Sequence, residues 1–279
     1  MQNKRSTAES IAEDYYDSAD ADKFYEKVWG GEDIHVGLYE AGLSIEQASR
    51  NTVTAMVERL GNLNAESKVI DLGSGYGGSA RYLAQTKGCH VTCLNLSDVQ
   101  NARNRMLNEQ QGLTDKVTVL HGSFESIPAE DSSFDLVWSQ DAFLHSNQKQ
   151  LVMQEIERVL KPGGEVIFTD PMQADNCPAG VLQSVLERLS LDSFGSFEFY
   201  TRELEALNFE PVECLELTHQ LKNHYSKVKD SLSERYTELT QEINPAYIDR
   251  MIQGLENWVK AANSGYLAWG ILHFRKRTN

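Results

Sequence analysis

Three observations predict an α/β fold built on a parallel sheet with helices on both faces. From Lys68 to Thr169, short β-rich apolar runs alternate with longer stretches of helical periodicity. The first run ends in Asp71 and is followed at once by Gly73, Gly75, Gly77 and Gly78, a strand-to-helix turn that lets backbone approach a ligand without Cβ interference. Further on, Leu160-Lys-Pro-Gly-Gly164 ends a helix and turns into another strand.

The pattern places strands at 68–72, 90–95, 117–121, 134–139 and 164–169, with helices at 77–87, 98–111 and 147–160 between them. Ser97 with Gln100 makes a capping box for the second of these helices, as Ser44 with Gln47 does for a helix before the first strand. Beyond Thr169 come a helical stretch at 178–190, a helix opened by Thr201, a strand near 210–217 and a closing strand in Tyr266–Arg275. Between the last two strands a hairpin would need only a few residues, yet 218–264 intervene, carrying helical periodicity and Tyr225, Tyr236, Tyr247 and Trp258. This insertion reads as a helical cap over the carboxyl ends of the strands, where ligands bind in open α/β sheets. The expected division is a lid segment at 1–43, a core at 44–217 and 265–279, and the cap at 218–264.

Composition narrows the partners. With 41% hydrophobic and 24% charged residues the chain is ordinary for a globular protein, but its net charge of −15 repels phosphate backbones and anionic bilayers. Nucleic acid and membrane are therefore unexpected partners. Cys89, Cys93, Cys177 and Cys214 are scattered without a C-x-x-C pair or a histidine ligand set, which suggests neither a metal site nor a disulfide framework. Met1–Asp17 is polar and acidic with no apolar stretch, so a soluble cytoplasmic protein is expected.

Gly73-Ser-Gly-Tyr-Gly-Gly78 also satisfies a dinucleotide-binding pattern, which makes NAD a competitor. Asp71, two positions before the first glycine, suits a cationic cofactor and would sit badly beside pyrophosphate. Two further segments, Ser123-Phe-Glu-Ser-Ile-Pro128 leading into Asp131-Ser-Ser-Phe-Asp-Leu-Val-Trp138, and Val159-Leu-Lys-Pro-Gly-Gly-Glu165, complete a set. Over residues 66–170 the chain resembles the class I S-adenosylmethionine-dependent methyltransferases. The resemblance implies a Rossmann-like seven-stranded methyltransferase sheet and S-adenosylmethionine as cofactor, held by Asp71, Gly73, Gly75, Asn95, Leu96, Ser123, Phe124 and Gln140. Asn95 departs from the pattern, in which this strand usually ends in an acidic residue; its amide can still hydrogen-bond a ribose diol.

Val28-Trp-Gly-Gly-Glu-Asp-Ile-His-Val-Gly-Leu-Tyr39, with Asn95-Leu-Ser97 and Ser139-Gln-Asp-Ala-Phe-Leu-His-Ser146, is similar to the sarcosine/dimethylglycine N-methyltransferases. This implies an amine acceptor, sarcosine or dimethylglycine, and glycine betaine as product, to which an acidic chain from a salt-stressed cell would be suited. Asp141 and His145 are then candidates for catalysis, by positioning or proton relay. Tyr25, Trp29 and Tyr39 are candidates for an aromatic cage around a quaternary ammonium, with His145 and Met172 beside them. Arg202 and Arg50 are candidates for the substrate carboxylate. Three alternatives stay open: a methyltransferase for a larger lipid or natural product, a non-catalytic protein of the same fold, and a dehydrogenase.

Overall fold

The computed structural model describes residues 7–61, 63–189 and 191–278. Strands β1 (Lys68–Leu72), β2 (His90–Asn95), β3 (Val117–His121), β4 (Phe134–Gln140), β5 (Leu160–Thr169), β6 (Phe209–Glu216) and β7 (Gly270–Lys276) form one sheet in the order β3-β2-β1-β4-β5-β7-β6. The first five run parallel, and β7 is antiparallel to both β5 and β6. From β1 the chain moves outward to β2, and from β4 it moves the opposite way to β5. The crevice between β1 and β4 is the topological switch point, where ligands bind in such sheets.

Helices α1 (Thr7–Tyr16) and α2 (Ala19–Phe24) precede α3 (Ile45–Arg59), α4 (Gly78–Lys87), α5 (Asp98–Gln110) and α6 (Lys149–Val159). Later come α7 (Gln183–Leu189), α8 (Phe197–Ala206), α9 (Thr218–Glu234), α10 (Tyr236–Leu239) and α11 (Pro245–Asn263). Val53, Met56, Leu83 and Val91 belong to the core on one face of the sheet, and Val152, Ile156, Tyr200 and Leu204 to the core on the other. A third apolar cluster joins Phe24, Val28 and Trp29 to Tyr225, Ile248 and Trp258, so the N-terminal segment and the 218–264 insertion pack together. No described helix is long and apolar enough to cross a membrane.

The Ser44 capping box is complete: its hydroxyl accepts from Gln47 N–H, and the Gln47 side chain accepts from Ser44 N–H. At α5 only half of the expected box forms. Ser97 Oγ accepts from Gln100 N–H at 3.1 Å, but the Gln100 carbonyl turns to accept from Asn95 Nδ2 at 3.0 Å, a side-chain bond that outcompetes the backbone arm. The helix expected to open at Thr201 begins four residues earlier, because Ser196 Oγ accepts from Phe199 N–H and caps it there. The closing run divides. Leu267–Ala268 pairs with Met172–Gln173, and only Gly270–Lys276 joins the large sheet. Gly270 is required at this break, since a Cβ would lie 1.9 Å from the Leu215 carbonyl oxygen.

Candidate active site

The carboxyl ends of β1, β2, β3 and β4 deliver Gly73, Asn95, Gly122 and Gln140 to one crevice. Gly73 and Gly75 take left-handed φ of +75° and +51°, which favours glycine. At Gly73 a Cβ would lie 2.4 Å from Ala142 Cβ, so the turn closes tightly on the β4 loop. Gly75, Leu96, Phe124 and Asp141 also line the crevice. Ile34 covers the turn, with its side chain 3.1 Å from where a Gly75 Cβ would stand. A buried arginine secures this cover: Arg81 donates to Glu32 Oε2, to Asn104 and Asn108 and to the Tyr76 carbonyl.

Asp71 lies on the floor of the adjoining recess, 3% exposed, and no described residue donates a hydrogen bond to its carboxylate. Burial, with the charge of Asp33 added, pushes its pKa up to about 8. Asp33 itself is raised to about 6 by burial, opposed by the Arg50 guanidinium at 2.8 Å. A buried carboxylate without donors, beside a second acid, is an environment that a cationic group would relieve. These features fit S-adenosylmethionine and its ammonium-bearing tail, and they would repel a pyrophosphate.

Next to the crevice a cavity of about 380 Å³ is walled by Tyr15, Tyr16, Tyr25, Trp29, Tyr225, Tyr247 and Trp258, with Asp141 and His145 lining both spaces. Asp141 follows β4 in a left-handed conformation, φ +52°. Its carboxylate accepts from Val36 N–H (2.6 Å), Thr169 Oγ1 (2.7 Å) and Trp269 Nε1 (2.8 Å). It therefore pins the 34–38 segment across the sheet end while facing both cavities. His145 Nε2 and the Tyr16 hydroxyl are 3.1 Å apart, tying α1 to the turn after β4. Burial lowers the pKa of His145, and of His35 on the same wall, to about 4 in each case, so both rings are neutral at pH 7.

Of the residues expected from sequence, Gly73, Gly75, Asn95, Leu96, Phe124 and Gln140 meet at the crevice and Asp71 at its floor. Tyr25, Trp29, Asp141 and His145 meet at the cavity. Ser123 lies off the cavity walls, where its hydroxyl accepts from Glu125 N–H, while its neighbours Gly122 and Phe124 line the crevice. Tyr39 stands behind the wall, its hydroxyl 2.9 Å from His224 Nδ1. Met172 is fully buried in the core of the α6–α8 face. Arg202 is turned outward on α8, 61% exposed and paired with Glu203, because Tyr200 and Leu204 take the buried face and Arg202 lies on the opposite one. Arg50 is engaged by Asp33. Tyr15, Tyr16 and His35 were not expected at a site, the first two because they lie in a stretch that scans as polar; Tyr247 and Trp258, expected in the 218–264 insertion without a named role, line the cavity from α11.

Residues 70–168 match the family model described as a methyltransferase domain. The chain is 53% identical to the sarcosine/dimethylglycine N-methyltransferase of Aphanothece halophytica, over 95% of this chain and 96% of that one. It is 50% identical to the protein of the same name from Halorhodospira halochloris, over 95% of each chain. A crystal structure of a candidate sarcosine dimethylglycine methyltransferase from Galdieria sulphuraria superposes with a TM-score of 0.90 at 43% identity, covering 95% of this chain and all (100%) of that one. At 53% and 50% identity to these two relatives over 95% of its length, the chain belongs to the sarcosine/dimethylglycine N-methyltransferase family.

Proposed function

We propose that this protein is a cytoplasmic S-adenosylmethionine-dependent N-methyltransferase that converts sarcosine to dimethylglycine and dimethylglycine to glycine betaine. The observation that carries this reading is the aromatic cavity meeting the crevice at Asp141 and His145. When bound, the cofactor supplies a methyl group activated on a sulfonium. Asp71 would hold its ammonium, Asn95 its ribose hydroxyls, and Leu96 and Phe124 its adenine, with the left-handed glycine turn leaving room for it.

The chain's contribution to the reaction is orientation, desolvation and charge. Tyr25 and Trp29 offer π faces to a nitrogen that, once quaternary, cannot donate a hydrogen bond. Asp141, whose pKa burial raises against the opposing pull of His35 and of its three hydrogen-bond donors, presents its carboxyl group beside a centre that becomes cationic, and those donors hold it in place. Residues 7–43 act as a lid and 218–264 as a cap that together exclude water, the first six residues of the expected 1–43 segment lying outside the described residues. His145, with its pKa near 4, is too weak a base to store a proton from an alkylammonium. It positions the acceptor with Tyr16, and the amine sheds its proton to solvent before attack.

Two results follow. At subsaturating dimethylglycine, turnover is expected to rise roughly tenfold per pH unit from pH 6 to 8 as the neutral amine becomes available. kcat at saturation is expected to show no inflection near pH 6.5, the signature of a histidine base, because both cavity histidines are already neutral there. A methyl-transfer assay over glycine, sarcosine, dimethylglycine and a panel of larger amines and phenols tests the acceptor. Preference for the two methylated glycines supports the reading; preference for a large apolar acceptor overturns it.

A further inference from the structure

We propose that Arg250, on α11, is the carboxylate anchor of the acceptor site. This rests on the acceptor reading above and supplies the part of it that neither Arg202 nor Arg50 can fill. α11 turns Tyr247, Met251, Leu255 and Trp258 toward the cavity, a stripe at intervals of four and three residues, and Arg250, next to Met251, lines it as well. Arg250 adds a charge beside that apolar stripe and is itself exposed to solvent.

The remaining lining groups leave no rival. His35 and His145 are neutral and Asp141 is an acid, so among the described lining residues Arg250 alone carries a fixed positive charge. Its guanidinium lies over the Tyr247 ring, 5.9 Å from the centroid, and no described carboxylate is within ion-pair distance of it. A guanidinium stacked on an aromatic face is restrained while its N–H edge stays available for a bidentate carboxylate. A zwitterionic acceptor thus meets complementary groups at both ends: the nitrogen lies toward Asp141 and the methyl donor, the carboxylate toward Arg250. The long insertion before the last strand then has a chemical purpose beyond covering the site, since it brings in this cation.

The test compares wild type, Arg250→Met and Arg250→Lys on dimethylglycine and on 2-(dimethylamino)ethanol, which keeps the amine and replaces the carboxylate with an alcohol. For Arg250→Met, KM for dimethylglycine is expected to rise about ten- to a hundredfold, the loss of a charge-assisted contact, with a much smaller change in kcat. Preference for dimethylglycine over the amino alcohol should fall by the same factor, cofactor affinity should hold, and Arg250→Lys should recover part of the loss. An unchanged preference between the two acceptors, with or without a general loss of activity, overturns the carboxylate role. Wild-type turnover of dimethylglycine in the same experiment judges the acceptor reading separately: its absence sinks both, whereas normal wild-type turnover with an unmoved KM in Arg250→Met sinks only this one.

Discussion

Asp71→Asn is expected to weaken S-adenosylmethionine binding on the order of a hundred- to a thousandfold and, in the ligand-free protein, to raise the melting temperature by ~2–5 °C. The opposite signs follow from one observation, a buried carboxylate that no described residue satisfies. Without ligand its charge has no partner, and burial lifts its pKa from about 3.9 in the unfolded chain to about 8. Its favourable contribution to stability is therefore full at acid pH and lost as pH rises through 4 to 8, a loss the asparagine variant escapes. A bound ammonium favours the ionised form, so cofactor affinity should increase with pH between 6 and 8 and binding should release a proton. Calorimetry in two buffers of different ionisation enthalpy measures that proton directly. Unchanged affinity in a folded Asp71→Asn protein would remove the residue from the cofactor site.

Asp141→Ala is expected to cost about 3–5 kcal/mol of stability and to lower kcat by two to three orders of magnitude. The stability loss arises because Val36 N–H, Thr169 Oγ1 and Trp269 Nε1 are left as donors without their acceptor. The rate loss has two sources: the missing carboxyl group beside the reacting nitrogen, and release of the 34–38 segment that covers the glycine turn. Denaturant unfolding and single-turnover methyl transfer separate these effects. Normal stability together with a rate within about fivefold of wild type would show that Asp141 neither pins the segment nor serves the chemistry.

The crevice at the strand ends was legible in the sequence because its determinants are local. Asp71 and Gly73 sit within one strand-to-turn segment, and each later strand end adds a residue or two at a position fixed by the alternation of strands and helices. The aromatic cavity is assembled across the whole chain. Tyr16 meets His145, Val36 meets Asp141, and Arg250 reaches the same cavity from the last third of the sequence. No spacing rule connects such residues. Arg202 and Arg250 illustrate the difference: both are arginines on amphipathic helices beyond the core motifs, and only packing decides that one pairs with Glu203 at the surface while the other faces the cavity. Tyr39 was close in sequence to the right residues, yet the irregular run from Val36 to Glu40 carries its hydroxyl to His224 instead.

The central claim, transfer of a methyl group to a methylated glycine, is tested most directly by carbon NMR of the protein incubated with dimethylglycine and S-adenosylmethionine labelled at the donated methyl. The account predicts a labelled trimethylammonium signal from glycine betaine, growing one-for-one with S-adenosylhomocysteine. Labelled donor that persists beside unchanged dimethylglycine, in a protein that binds the donor normally, would contradict it.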